Sequence, residues 1–595
     1  MWLPIDRTSR VPLTRQVYGA LKQNILAGKL QENDKLPPSR VLAKELGVSR
    51  IVVVEAYEQL LAEGYVTARQ GAGTFVSKGV SMMSMKTSVR DLGPGVGVGA
   101  GAGSDSVSGS DAGAQTGRYA QPVQKTRPGL GSHHPHDGSE MYPPESNAAE
   151  IIDFKPGVPA LDLFPGQKWA MLARKEFLDS PRQTLGYQAP EGLPQLRHSI
   201  ADYLFRNRGL DCSPDQIVIT SGAAQALVLA VNLIFDRRRS GPKRGVMEDP
   251  ASPDIRNSFL SAGVELSYVP VDHQGMITSR LPDPPKGKEN RLIYVTPSHQ
   301  FPLGGVLPVR RRIRLIEYAR LQNGWIIEDD YDSEFRYGGP PLSSLYELDP
   351  ERVVYIGTFS KTLFPGLRIG YCVLPWQFVK RGRDMKWLMD IHTSVMDQLT
   401  LDAFIREGFL DRHLRNIKGV YQKRRDCLAA ALADNFPGLF GSAPERTPGG
   451  PGGNSDKGDK SDHDTISTTN IWGLSTGLHL TGVFDPLFGN LPGKTAAHQA
   501  AGQAAGQIAG IATSQTAMPA AAASEHKHET AGFLEKIIRS GAERGVKLYP
   551  AACYGVDKKM HFGKIVFGFS NLNEHRIQRG IEITADILRR AHHEL

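Results

Sequence analysis

Between residues 80 and 148 the chain carries a stretch that no folded core accommodates. It runs through Gly93-Pro94-Gly95-Val96-Gly97-Val98-Gly99-Ala100-Gly101-Ala102-Gly103, then a Ser/Asp/Gly tract, then His133-His134-Pro135-His136. So little apolar surface cannot offset the chain entropy of ordering it, so the segment reads as a flexible linker and its flanks must fold separately. The histidines sit inside this polar tract and are read as part of it, and no metal site is expected. At 595 residues the chain is long enough for two or more cores. The expected units are 10–79, the linker 80–148, and a large body from 149 to 595. Two biased segments interrupt that body, 442–466 around Pro448-Gly449-Gly450-Pro451-Gly452-Gly453 and about 486–528, rich in Ala, Gly, Gln and His.

Cys212, Cys372, Cys427 and Cys553 are scattered without a CxxC pair. That argues against a disulfide framework or a zinc cluster and fits a reducing cytosol. The first residues lack the basic and apolar regions of a signal peptide, and no run approaches the ~18 apolar residues of a membrane helix. A soluble, cytoplasmic protein is expected. The net charge of +8 is mild, but residues 1–80 hold 11 Lys and Arg against 7 Asp and Glu, a surplus of +4. A polyanion would dock there.

The spacing of Val17, Leu21 and Ile25 predicts a helix after Thr14 that stops at Gly28. A second is predicted from Ser39, as N-cap, to Gly47, and a third from Ser49 to Glu63, burying Val54, Tyr57 and Leu61 and stopping at Gly64. Two short helices joined by a Gly turn form a helix-turn-helix whose second helix enters the major groove by its N-terminal end. Tyr65–Val76 then reads as two short strands about a Gly turn, a β-wing with Arg69 at its base. Leu36-Pro37-Pro38-Ser39-Arg40, Leu46-Gly47-Val48-Ser49-Arg50, Glu55-Ala56-Tyr57 and Gly71-Ala72-Gly73-Thr74-Phe75-Val76 together resemble the GntR-type winged helix. The resemblance implies that Arg40, Ser49, Arg50, Gln70 and Gly71 touch double-stranded DNA. Arginine can fork onto guanine, and a helix N-terminus favours phosphate. Where that family carries Asn-Thr after Ser-Arg, this chain has Ile51-Val52, so sequence readout is expected to differ.

The body alternates apolar strands (Gln216–Thr220, Leu292–Val295, Trp325–Glu328, Val353–Ile356) with helical stretches, the pattern of an α/β fold with a mostly parallel sheet. Its densest cluster of chemistry is Gly357-Thr358-Phe359-Ser360-Lys361, followed by Arg368. A lysine just past a buried strand can form an imine with an aldehyde, and an arginine seven residues on can clamp a phosphate, with Thr358 and Ser360 as further donors. Thr220-Ser221-Gly222-Ala223 presents free N–H groups at a strand-to-helix corner. Asp329, at the end of an apolar strand, can hold a protonated pyridine nitrogen, and Tyr331 can bond a ring oxygen. Pro297-Ser298-His299-Gln300-Phe301-Pro302 again follows a strand.

In order and spacing these elements resemble fold-type I aminotransferases, from Tyr187-Gln188-Ala189-Pro190 through Gly545-Val546-Lys547-Leu548-Tyr549-Pro550. The resemblance implies pyridoxal 5'-phosphate as cofactor, with Lys361 as its Schiff-base lysine, Asp329 on the pyridine nitrogen and Tyr331 on the ring oxygen. Arg368, Thr358, Ser360, Gly222 and Ala223 would bind phosphate. Tyr187 would reach the neighbouring subunit's phosphate, which implies a homodimer. Such a body behind a winged helix and a long linker, with a smaller α+β subdomain at its C-terminal end, is similar to MocR-type regulators. Two departures stand out. Ser252 occupies a position where many relatives stack an aromatic on the cofactor, with His299 or Phe301 as candidate substitutes. Val566 occupies a position where amino-acid-processing relatives carry a carboxylate-binding arginine, with Lys564 on the same strand face. Two functions are open: a regulator that senses the cofactor, or its adduct with an amine, to control DNA binding, and an active aminotransferase with an accessory DNA-binding head. The departures favour the sensor, with at most a residual half-reaction.

Overall fold

The computed structural model describes residues 3, 5–9, 11–69, 71–81, 151–235, 241–283, 291–338, 342–440, 470–484 and 535–593. Most of the expected linker, both expected insertions, the histidines at 133–136 and Gln70 lie outside the described residues.

Three helices, α1 (Leu13–Leu26), α2 (Ser39–Leu46) and α3 (Arg50–Glu63), precede a hairpin of β1 (Val66–Arg69) and β2 (Gly73–Val76). This is the expected winged helix-turn-helix, with three local corrections. Ser39 opens α2 as its first helical residue, and Pro38 takes the cap position. The buried face of α3 is Val53, Ala56, Tyr57 and Leu60. Leu61 and Val54 fall at the margin of that face because α3 is rotated about one residue from the expected phase. Arg69 pairs with Gly73 beside the turn, so it stands at the tip of the wing rather than its base. There its guanidinium covers the Phe75 ring at 4.4 Å.

In the body, β3 (Ile152–Asp153) precedes an eight-stranded sheet in the order β4-β11-β10-β9-β8-β5-β6-β7. Its strands are β4 (Ile217–Thr220), β5 (Lys243–Asp249), β6 (Val264–Asp272), β7 (Gly275–Met276), β8 (Arg291–Val295), β9 (Trp325–Asp330), β10 (Val353–Thr358) and β11 (Gly370–Val373). Strands β6, β5, β8, β9 and β10 run parallel, while β11 and the short β7 are antiparallel to their neighbours. The period-two geometry of a strand sends alternate side chains to opposite faces. Ile293, Val295, Ile326, Val353 and Tyr355 enter one apolar cluster. Leu292, Tyr294, Ile327, Val354 and Ile356 enter another on the opposite face. Helices cover both faces, which is why these strands read as unbroken apolar runs.

A second, antiparallel sheet joins β12 (Ile471–Trp472), β13 (His479–Val483), β16 (Lys564–Gly568) and β15 (Tyr549–Pro550), while β14 (Val546–Lys547) pairs with β3. It packs with the long helices Phe409–Asn435 and Glu574–His593 as the smaller α+β part. Helical residues span 535–543. Among the described residues no helix is long and apolar enough to cross a membrane.

The winged helix is seated on the body. Val309 and Ile313, from the body helix Val309–Leu321, belong to the same apolar cluster as Val17, Leu21, Leu60 and Tyr65. Buried Lys22 donates to Ser343 Oγ and Glu347 Oε1, each at 2.8 Å.

Candidate cofactor site and DNA-facing surface

The site forms at the C-terminal edge of the main sheet, and strand register explains how. Thr358 of β10 pairs with Gly370 of β11, and Gly370 pairs with Thr220 of β4, which aligns three strand ends that are distant in sequence. The turn after Thr220 therefore lies beside the residues that precede Lys361. Open α/β sheets bind ligands at this edge.

Three groups of residues converge there. Gly222, at φ 87°, caps the helix Ala223–Ile234. A Cβ at Gly222 would stand 2.9 Å from Arg368 Nη2. That guanidinium also donates to the Ser221 carbonyl at 2.9 Å. Arg368, itself left-handed at φ 53°, thus lies over the helix N-terminus, where N–H groups and a cation favour an anion. Thr358 Oγ1 and Ser360 Oγ are 3.1 Å apart on the adjoining turn.

Lys361 Nζ donates to the carbonyl of Gly157 at 2.7 Å. Burial pushes its ammonium down from the ordinary lysine range, while the charges of Asp332 and Asp329 pull it back up. An amine so held is more readily neutral and nucleophilic than a surface lysine. Gly157 was not foreseen from the sequence. It lies 204 residues away, at φ 71°, and a Cβ there would come within 3.4 Å of Nζ. The short string Lys155-Pro156-Gly157-Val158-Pro159 is the only local hint of it.

Asp329 is the penultimate residue of β9, with its side chain buried. Its Oδ2 accepts from the Tyr294 hydroxyl at 2.7 Å, whereas Oδ1 has no partner among the described residues. Burial raises its carboxyl to about 6. An orphaned buried acceptor is costly unless a donor arrives. A protonated ring nitrogen is such a donor, so the residues present fit the cofactor that the motif implies.

Tyr331 turns its hydroxyl onto the His299 carbonyl at 2.9 Å, with His299 Nδ1 at 3.1 Å. His299 Nδ1 also meets Asp332 Oδ2 at 2.8 Å. Burial pushes His299 down to about 3 and Asp332 well above the carboxylate range. Both groups thus lean to their uncharged forms and hold Tyr331 without a net charge. His479 packs against His299 with ring centroids 4.3 Å apart and the planes tilted by 38°. On the His299 ring a Cβ at Gly477 would collide. His299, Asp332 and His479 offer three donor atoms within 4.8 Å of one another. Asp332 Oδ2 meets His299 Nδ1 and accepts from Leu478 N, and His479 Nε2 meets the Pro302 carbonyl, while His299 Nε2 and His479 Nδ1 have no partner among the described residues.

Ser252 precedes the helix Pro253–Ser261 and caps it with no side-chain bond. Val566 is fully buried, paired with Thr481 and Tyr549. Lys564 donates to the Met560 carbonyl at 2.9 Å and sits 5.8 Å from the Trp472 ring. Tyr187 is 82% exposed, so its own chain leaves most of its surface uncovered.

On the winged helix, Arg40, Ser49, Arg50 and Gly71 are all exposed. Ser49 takes the N-cap position of α3 without making a capping bond, so its hydroxyl is free for a phosphate. Arg50 leans on Ser39 Oγ at 3.4 Å. Ile51 follows on the first turn at 64% exposure, an apolar group presented to solvent where a groove would lie.

Comparison with known proteins agrees with this division. Residues 13–76 match the family of bacterial regulatory proteins of the gntR type, and residues 149–442 match aminotransferase class I and II. The chain is 36% identical over 433 residues to the probable rhizopine catabolism regulatory protein MocR of Rhizobium meliloti, covering 72% of this chain and 78% of that protein. It is 29% identical to the pyridoxine biosynthesis transcriptional regulator PdxR of Corynebacterium glutamicum, covering 73% and 82%. Among solved structures, the multiple substrate aminotransferase of Thermococcus profundus superposes with a TM-score of 0.56 at 21% identity, over 76% of this chain and 94% of that one, which bears on fold alone.

Proposed function

Because the chain belongs to the MocR-type transcription regulators, a gntR-family winged helix joined to an aminotransferase-like domain, we propose that its DNA binding is governed by pyridoxal 5'-phosphate held at Lys361. The observation that carries this reading is the placing of a half-buried Lys361, its ammonium pushed down, near the orphaned Asp329 Oδ1 at one sheet edge. When bound, the cofactor supplies an aldehyde and an electron-withdrawing ring. Lys361 holds it covalently, Asp329 accepts from its ring nitrogen, and Tyr331 faces its ring oxygen. Arg368, Thr358, Ser360 and the N–H groups at Gly222 and Ala223 seat its phosphate. Tyr187, exposed on one subunit, completes the seat of the partner in a homodimer. Arg40, Ser49, Arg50, Gln70 and Gly71 form the operator contact, and the protein acts in the cytoplasm with the DNA.

A ligand shifts such a regulator only through different affinity for its two states. Buried Val566 leaves a free amino acid without the arginine that would fork onto its carboxylate, so the cofactor itself, or its adduct with an amine, is the sensed species. The units 10–79, 80–148 and 149–595 then serve as reader, tether and sensor. Footprinting on the chain's own upstream DNA, with and without cofactor, tests the reading. A cofactor-dependent footprint that Lys361→Ala abolishes is the expected result. The same footprint in both states, or steady multiple-turnover transamination of an amino acid panel, would place the enzyme reading first.

A further inference from the structure

A cavity of about 300 Å³ lies where the winged helix meets the body, between the end of α3 and the loops around 306–309 and 342–343. It is separate from Lys361, which does not line it. Glu63 and Tyr65 come from the winged helix, while Arg312, Arg336, Ser343 and Ser475 come from the body. The volume suits a small metabolite.

The polar groups on its wall do not balance. Arg312 donates to the carbonyls of Leu307 at 2.7 Å, of Pro297 at 3.0 Å, and of Ser343, with no hydrogen bond to a carboxylate among the described residues. Arg336 makes no hydrogen bond from its side chain among the described residues, and its Nε is buried without a partner there. The hydroxyl of fully buried Tyr65 likewise lacks a partner among them. Glu63 is the one acid on the described wall, and it accepts from Tyr18 at 2.8 Å and from Gln59 at 3.2 Å. Arg312 is balanced by the buried Glu328 behind the wall as well as by Glu63, whereas the one acid acting on Arg336 is Glu63, which is already occupied. Burial also pulls the Arg336 guanidinium down from its ordinary range. Orphaned donors beside an uncompensated guanidinium in a low-dielectric cavity call for an anion with acceptor oxygens.

We propose that this cavity is a second effector site, for a small carboxylate-bearing metabolite whose oxygens take Arg336 and Tyr65. A planar carboxylate matches the guanidinium fork, and the apolar wall of Leu61, Val306, Val309 and Leu342 takes its carbon chain. Because Tyr65 belongs to the winged helix and Arg336 to the body, the ligand bridges the two and binds the seated arrangement. By linkage it holds the winged helix in place. Arg312 on its wall also donates to the Pro297 carbonyl, two residues before His299. This site goes beyond cofactor sensing and does not depend on it.

The test uses the full-length Lys361→Ala protein, which removes covalent chemistry at the other site. The twenty common amino acids, their 2-oxo acids, the corresponding carboxamides and inorganic phosphate are titrated calorimetrically. At least one carboxylate should bind saturably, and its carboxamide should not. Arg336→Gln should weaken that binding by roughly tenfold or more, as loss of a charge-assisted bond implies, and Tyr65→Phe by a smaller factor. Tyr65→Phe removes one oxygen only, so it decides the matter should Arg336→Gln unfold. In the Lys361-containing protein, Arg336→Gln should leave the visible cofactor band intact. Absence of any carboxylate binder, binding indifferent to both substitutions, or phosphate binding as tightly as every carboxylate would each overturn the assignment.

Discussion

Replacing Gly222 by alanine probes the phosphate seat with a change of one methyl group. Two costs follow from the structure and fall on different measurements. The backbone stands at φ 87° and ψ 172°, a region open essentially to glycine alone, where a β-carbon costs about 1–3 kcal/mol. That cost falls on folding. The new Cβ would also stand 2.9 Å from Arg368 Nη2, so the guanidinium must shift, and a shift away from the helix N-terminus weakens its hold on phosphate. Loss of one charge-assisted hydrogen bond to phosphate costs about 1.5–3 kcal/mol, which appears as a roughly 10- to 100-fold weaker cofactor affinity. Gly263 supplies a control for positive φ. It has φ +76° with nothing within 4 Å of where a Cβ would stand, so Gly263→Ala incurs backbone strain without the collision. Thermal denaturation should show both variants destabilised. Titration of the visible absorbance band should show only Gly222→Ala impaired. Cofactor affinity within about threefold of the parent protein in Gly222→Ala, less than about 0.7 kcal/mol, would refute the placement of phosphate between Arg368 and the helix Ala223–Ile234.

Three further outcomes are expected. Asp329 should make cofactor-free protein less stable as pH rises from about 4 to about 6. Its carboxyl is raised from 3.8 to about 6 by burial, so between those values only the unfolded chain ionises it and stability is lost upward through the folded value. Glu248 and Glu328, raised to about 7 by burial, extend the decline; the check is therefore whether Asp329→Asn flattens the 4-to-6 limb of a melting-temperature profile, and an unchanged slope counts against the burial argument. Arg50→Ala should weaken operator DNA in a gel-shift titration while leaving the cofactor band untouched, because Arg50 is exposed on the first turn of α3. Lys22→Met should cost about 1.5–3 kcal/mol in denaturation of the full chain, since the buried ammonium bonds both Ser343 and Glu347; the loss should shrink in a Glu347→Gln background, and equal losses in both backgrounds would mean the ion pair contributes nothing.

The elements that local chemistry dictates were legible in the chain. Gly47 and Gly64 end α2 and α3 where glycine punctuation placed the stops. Lys361, Asp329 and Arg368 were nameable because each sits at a fixed offset from an apolar strand. What failed was phase and partnership. The buried face of α3 shifted by one residue because Val53 and Leu60 pack with α1, a choice made by a neighbour rather than by α3 alone. Arg69 moved from base to tip of the wing because the register Val66↔Val76 is set by the hairpin as a pair.

The sequence by itself determined the architecture and the reactive lysine, since apolar periodicity, glycine turns and a glycine-rich stretch act over a few residues at a time. Only the tertiary structure decided what surrounds that lysine and where the reader sits. Gly157 beneath Lys361, Tyr294 on Asp329, and the uncompensated Arg336 between Tyr65 and Ser475 are brought together across tens to hundreds of residues. Such contacts arise from strand order and packing. No local pattern encodes them.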